Sequence, residues 1–238
     1  MVEPSTSGRV PVRTEALCAA WEGIRRKGYA VVRDIDLGLA ASLQGHISTQ
    51  YFSEGALEAD HVEVHKDRDR SRDVLRYEWH ADDVVLSEHD TVTIENRSGY
   101  VGVRSHKRVE LLADTAMAEW ARAVLPLVPP PYRHPAGTFG VNFFRTRTAV
   151  VSGPHRDGEE FCLVYVVAKL GAGATTLLHP ADNPDFVELQ YTLTPGEMLF
   201  FSDERYLHDV TPLRSVGNQP CHRDAIVCTV DYPDTYRV

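Results

Sequence analysis

Cysteine is scarce in this chain and long apolar runs are missing from it. Four cysteines, Cys18, Cys162, Cys221 and Cys228, stand among 238 residues, and no two have the C-x-x-C spacing of a thiolate zinc site or a redox pair. Cys162 and Cys228 lie in apolar runs, where a buried free thiol is expected. A disulfide scaffold is therefore excluded, and a reducing compartment is implied. No window approaches the ~18 apolar residues that span a bilayer. The opening stretch MVEPSTSGRVPVRTE has no apolar core of the kind a secretory signal needs. Together these absences predict a soluble, cytoplasmic protein. Basic charge is also short: 25 Lys and Arg against 34 Asp and Glu leave a net charge of −9. A nucleic-acid backbone would be repelled over most of such a surface. With 43% hydrophobic and 25% charged residues the composition is that of a globular chain. Its one unusual feature is eleven histidines, which with so few thiols points to imidazole and carboxylate chemistry if a metal is bound.

No internal repeat and no linker divide the chain, so residues 1–238 are expected to form one domain. Residues 1–13 read as a frayed leader. From Thr14, Leu17, Ala20, Trp21 and Ile24 recur at helical spacing, Arg25, Arg26 and Lys27 sit in the last turn, and Gly28 supplies the stop. Residues 29–32 predict a short strand and 37–48 a second helix. The mixed-charge run 65–73 (HKDRDRSRD) predicts a solvated loop. A long helix is expected over 105–125, ending before Pro126 and a stiff Pro-rich connector. Thus 14–135 reads as a mostly helical flank. After Pro135 the pattern changes: Phe139, Val141 and Phe143 alternate, and 161–168 (FCLVYVVA) is continuously apolar. Further strands are expected over 174–179, 186–193, 197–202, 207–211 and 224–231. Short strands punctuated by turn residues argue for a β-sandwich or barrel over 136–238, with the helices packed on it.

His155-Arg-Asp157 is an H-x-D unit, and His208 lies 51 residues beyond Asp157. Residues i and i+2 of an extended strand share a face, so His155 and Asp157 can grip one cation from one side while His208 completes the set. Two imidazoles and a carboxylate form the facial triad suited to non-haem Fe(II). Spacing does not single this set out. His80-Ala-Asp82 is also H-x-D, His134 lies 52 residues further on, and Arg145 follows 11 later. Context separates the two. His134 sits among prolines, and a predicted helix intervenes in that set. His155 leads into the FCLVYVVA strand, His208 follows PGEMLFFSD, and Arg223 opens the strand AIVCTV. Strand-borne ligands are held more firmly than loop-borne ones, which favours the second set. His61-Val-Glu-Val-His65 could also bind a metal, although a solvated strand edge explains it as well. His46, His89, His106, His179 and His222 have no partners at ligand spacing.

The segments His155–Phe161 (HRDGEEF), Pro195–Phe201 (PGEMLFF), Leu207–Pro212 (LHDVTP) and Arg223–Val230 (RDAIVCTV) resemble the 2-oxoglutarate/Fe(II)-dependent dioxygenases. More narrowly, the chain is similar to the bacterial branch typified by isoleucine hydroxylases acting on free L-amino acids. The resemblance extends over about 138–232. It implies a double-stranded β-helix (jelly roll), with Fe(II) in its mouth held by His155, Asp157 and His208, 2-oxoglutarate as cosubstrate and O₂ as oxidant. Arg223 would receive the far carboxylate of 2-oxoglutarate, since a planar guanidinium pairs bidentately and does not lose its proton. Thr229, on the same strand face by parity, could add a hydroxyl. Similar enzymes hydroxylate an unactivated C–H and release succinate and CO₂. Retention of Asp157 favours hydroxylation, because related halogenases typically lack that carboxylate.

An amino-acid substrate needs a cation for its carboxylate and an acceptor for its ammonium. Arg145 and Arg76 are candidates for the first role, and Glu159 and Glu160 for the second. The alternative is a non-catalytic jelly-roll module that uses the same histidines structurally or for zinc. Arg223 discriminates, because a plain metal module has no use for a buried arginine beyond the metal.

Overall fold

The computed structural model describes residues 9–59, 67–92, 94–95, 103–104, 106–147 and 153–230. Helix α1 (Arg9–Lys27) begins five residues before Thr14, so part of the expected leader is helical. Pro11 is tolerated there because its missing N–H falls in the first turn. Ala20 and Ile24 bury as the spacing predicts, and Gly28 ends the helix at φ +82°. After β1 (Tyr29–Arg33), a 3-10 turn over Asp34–Leu37 and Gly38 at φ +77° interrupt the chain. The second helix, α2 (Leu43–Tyr51), therefore starts later than position 37.

The expected charged loop is mostly strand. Following β2 (Glu58–Ala59), β3 spans Arg68–His80, and Arg70, Ser71, Arg72 and Asp73 are all buried. The alternation Arg-Asp-Arg-Ser-Arg-Asp is a period-2 pattern written in charges, which a hydrophobicity criterion overlooks. Hairpin partner β4 (Asp83–Glu88) follows, then β5 (Ile94–Glu95) and β6 (Val103–Arg104). The helix expected over 105–125 shortens to α3 (Thr115–Val124). Asp114 caps it by accepting from the Ala116 N–H at 2.9 Å. Upstream, the chain runs extended beside β3, with Arg72 N–H donating to Lys107 O at 2.8 Å.

The rest is β: β7 (Ala136–Thr146), β8 (Phe161–Leu170), β9 (Ala172–Gly173), β10 (Thr176–Pro180), β11 (Leu189–Tyr191), β12 (Glu197–Ser202), β13 (Tyr206–Val210), β14 (Leu213–Arg214) and β15 (His222–Val230). The main sheet has the order β1-β12-β8-β15-β7-β3-β2, with β4 beside β3. A smaller sheet, β11-β10-β13, faces it. Alternate residues of β8 divide the two sides. Leu163, Tyr165 and Val167 point outward into a core shared with Ile24, Ile47 and Trp120 of the three helices. Cys162, Val164 and Val166 point inward with Phe201, towards Leu178 of the small sheet. The architecture is a jelly roll with helices on the outer face of its larger sheet. Strands from the supposed helical flank are built into that sheet, β1 against β12 and β3 against β7.

Candidate metal centre

His155 and His208 are joined backbone to backbone. His208 N–H donates to His155 O at 2.8 Å and His155 N–H to His208 O at 3.2 Å. This antiparallel bridge presents both imidazoles on one side, with ring centroids 4.4 Å apart. Asp157 completes the set: its oxygens lie 3.8 Å from Nε2 of each histidine, and the three ligand atoms fall within 4.8 Å of one another. Among the described residues, no other group of three potential ligands converges in this way.

The supporting shell fixes orientation. Nδ1 of His155 is 3.0 Å from Gly153 O, which directs Nε2 towards the metal position. Asp203, fully buried, accepts the backbone N–H groups of Asp157 (3.3 Å), Gly158 (2.7 Å) and Glu159 (3.1 Å). Its Oδ1 is 3.6 Å from Nδ1 of His208. Burial alone would raise Asp203, but His208 and these amides hold its carboxyl below the usual range. Burial likewise pulls His208 down, yet Asp203, with Asp157 and Asp209, takes it above its ordinary value. The site is thus negatively biased and suited to a cation. Cys162 Sγ lies 3.7 Å from Asp157 Oδ2. Burial, reinforced by Asp157, pushes this thiol well up, so it stays protonated and donates.

Arg223, the second residue of β15, is half-buried, and its Nε and Nη2 are buried without any hydrogen-bond partner among the described residues. Burial alone pushes its guanidinium down to about 10. An orphaned buried cation is costly unless a counter-ion arrives, and the distal carboxylate of 2-oxoglutarate is a fitting one. Lys169, its register partner on β8, is pushed down by burial and by Arg223, which makes this end of the barrel doubly cationic. Thr229 faces the interior but stands six residues from Arg223 on one strand, about 20 Å at ~3.3 Å per residue. The two do not share one carboxylate, which corrects the expected role of Thr229.

Three of the four substrate residues read from sequence, Arg145, Arg76 and Glu160, are paired with other groups of the chain. Arg145 is locked to Asp224 by two 2.7 Å bonds on the outer side of the sheet, over the Phe52 ring. Arg76 donates to Asp90 at 2.7 Å and to Glu88 O at 3.2 Å. Glu160 pairs with His134 at 3.0 Å; for Glu159 it is the backbone amide, not the carboxylate, that Asp203 holds. The rival set does not assemble: His80 and Asp82 are exposed at the β3–β4 turn, and Asp82 faces Arg133 at 3.8 Å. His61 and His65 lie outside the described residues. Sequence reasoning missed Asp203, although its place in the strand-ending PGEMLFFSD segment was a signal, and it missed Cys162 as a neighbour of Asp157.

Comparison with known proteins adds three findings. Residues 56–229 match the family model described as 2OG-Fe dioxygenase. No curated protein matches the sequence. Solved structures share the fold: a bsmA homolog from Methylobium petroleophilum PM1 is 21% identical with a TM-score of 0.74, covering 93% of each chain. IDO from Bacillus thuringiensis is 16% identical with a TM-score of 0.66, covering 92% of this chain and all of its own. The Fe(II)/α-ketoglutarate-dependent dioxygenase TqaL is 13% identical with a TM-score of 0.70, covering 94% and 90%.

Proposed function

The chain belongs to the 2OG-Fe dioxygenase family, and we propose that it hydroxylates an unactivated C–H of a free L-amino acid or amino-acid derivative. As a 2-oxoglutarate-dependent dioxygenase it uses Fe(II), 2-oxoglutarate and O₂. The observation that carries the site assignment is the convergence of His155, Asp157 and His208 within 4.8 Å in a barrel that also buries the unpaired Nε and Nη2 of Arg223. When bound there, Fe(II) supplies the O₂ activation that couples conversion of 2-oxoglutarate to succinate and CO₂ with hydroxylation. The chain's own part is positional. His155 and His208 present Nε2, Asp157 presents a carboxylate oxygen, and the protonated Cys162 thiol steadies that carboxylate. Arg223 receives the distal carboxylate of the cosubstrate, and the inward apolar residues of β8 and β12 exclude water. The retained carboxylate at position 157 supports hydroxylation over halogenation. The resemblance of the HRDGEEF, PGEMLFF, LHDVTP and RDAIVCTV segments to the isoleucine-hydroxylase-like branch supports the amino-acid substrate.

The test is anaerobic titration with Fe(II) and 2-oxoglutarate, followed by succinate release in air across the twenty L-amino acids and common non-protein ones. A visible charge-transfer band and substrate-dependent succinate are expected. Folded protein that takes up neither metal nor 2-oxoglutarate would overturn the assignment, and a panel without a single active amino acid would overturn the substrate class.

A further inference from the structure

Arg223 and Lys169 stand directly opposite one another on β15 and β8. Opposed residues of an antiparallel pair share a face, with Cβ atoms about 4.5–5.5 Å apart. Val164 and Val227 are an opposed pair further along the same two strands, and they pack into the barrel interior with Phe201. Between the two rows the register shifts by one residue. Lys169, five positions beyond Val164, therefore returns to the inner face beside Arg223. Like charges opposed in this way repel, and burial together with Arg223 holds the Lys169 ammonium below its ordinary value.

Among the described residues, neither cation is neutralised. Lys169 donates one N–H to Gly173 O at 2.6 Å, a carbonyl without net charge, and an ammonium has three donors. Arg223 leaves Nε and Nη2 without partners. Asp224, the adjacent acid, lies on the outer face and is taken by Arg145. On its β7 side Arg223 faces the neutral Thr146. Between this level and Cys162, the inward residues of β8 and β15 are Val166, Ala225, Val164 and Val227, none of them charged. The positive charge that these two strands turn inward is thus gathered at one level.

We propose that Lys169 is a second cation of the cosubstrate site, and that with Arg223 it makes the enzyme select 2-oxo dicarboxylic acids over 2-oxo monocarboxylic acids. This rests on the functional reading above and adds a specificity-determining residue to it. The planar fork of Arg223 takes a carboxylate edge and fixes its orientation. The ammonium of Lys169 adds a point charge, steadied by Gly173 O, from the neighbouring strand. A carboxylate between the two exchanges their mutual repulsion for two attractions. A 2-oxo acid that ends in a methyl group leaves both cations unpaired, which is the costly state. Discrimination then comes from the penalty laid on the wrong cosubstrate as much as from the bonds to the right one.

The test is anaerobic titration of the Fe(II)-loaded protein with 2-oxoglutarate and with 2-oxovalerate, which offers the same 2-oxo acid head but ends in a methyl group. The visible charge-transfer band reports both. Lys169→Gln keeps a donor for Gly173 O and loses the charge. It should weaken 2-oxoglutarate about tenfold or more, the worth of one charge-assisted hydrogen bond, and bind 2-oxovalerate no more weakly than wild type. Lys169→Arg, which keeps the charge, should recover most of the affinity. Wild-type affinity for 2-oxoglutarate in Lys169→Gln, or equal weakening of both acids as expected of a mere tether to Gly173, would overturn the proposal. A second measurement needs no variant: acetylation of Lys169 by acetic anhydride, mapped by peptide mass, should be slowed by 2-oxoglutarate and not by 2-oxovalerate. Equal rates with the two acids would also overturn it. A wild type that gives no band with either acid would instead sink the parent reading, and the role of Lys169 with it.

Discussion

Asp203 Oδ1 stands 3.6 Å from Nδ1 of His208, and the same carboxylate gathers the amides of Asp157, Gly158 and Glu159. One buried group therefore holds the H-x-D loop and the distant histidine in one arrangement. Asp203→Asn should keep the chain folded and lower Fe(II) affinity about 10–100-fold, the usual effect of losing an outer-shell partner. Metal titration under anaerobic conditions reads this directly, and unchanged affinity would remove Asp203 from the site.

The two H-x-D sets make opposite predictions. His208→Ala should abolish succinate formation and metal uptake with little change in circular dichroism. His80→Ala should do neither, because His80 is solvent-exposed beside Glu78. Reversal of that pattern would mean the wrong set has been identified.

Arg223 carries a cost until its anion binds. Arg223→Met should raise the midpoint of the unliganded protein, because it removes an unpaired buried charge. The same variant should lose the stabilisation by 2-oxoglutarate, which for wild type amounts to about 2.7 kcal/mol at a hundredfold excess over Kd. Denaturation with and without 2-oxoglutarate separates the two effects.

Gly140 has no room for a methyl group, since a Cβ would lie 2.6 Å from Thr229 Oγ1. Gly140→Ala should cost about 1–3 kcal/mol, as overpacking typically does. Adding Thr229→Ala should recover part of that loss. Urea denaturation of the two single variants and the double variant gives the coupling.

Asp73 sets a pH dependence. Burial, assisted by the neighbouring Glu88 carboxyl, raises its carboxyl from 3.8 to about 7. Between those values the folded chain retains a proton that the unfolded chain has released. Stability from this group is therefore full below 3.8 and is lost as pH rises to about 7. Asp73→Asn should flatten that slope, as measured by urea midpoints between pH 4 and pH 8.

The jelly roll was readable because its strands advertise themselves. FCLVYVVA is apolar on both faces since both are covered, and PGEMLFF begins at the turn its glycine permits, at φ +91°. β3 was hidden for the converse reason. Its alternating residues are charged, and charge is buried only where partners on other elements receive it. Asn142 for Arg70 and Arg72, and the Leu111 amide for Asp73, come from positions 38 to 72 residues away. Arg145 was misjudged on the same ground: its bidentate partner Asp224 lies across β7 and β15, and local sequence carries no trace of that pairing.

Composition, strand periodicity and the H-x-D, PGE and LHDVTP segments were enough to specify a β-barrel scaffold, a two-histidine, one-carboxylate set and an arginine beyond it, because each of these is a local pattern in the chain. Which cations are free and which are spent, which threonine reaches which ligand, and which carboxylate supports the metal ligands were decided by folding alone. Hydrogen bonds and ion pairs act over about 3 Å, and only the sheet register brings such distant residues that close.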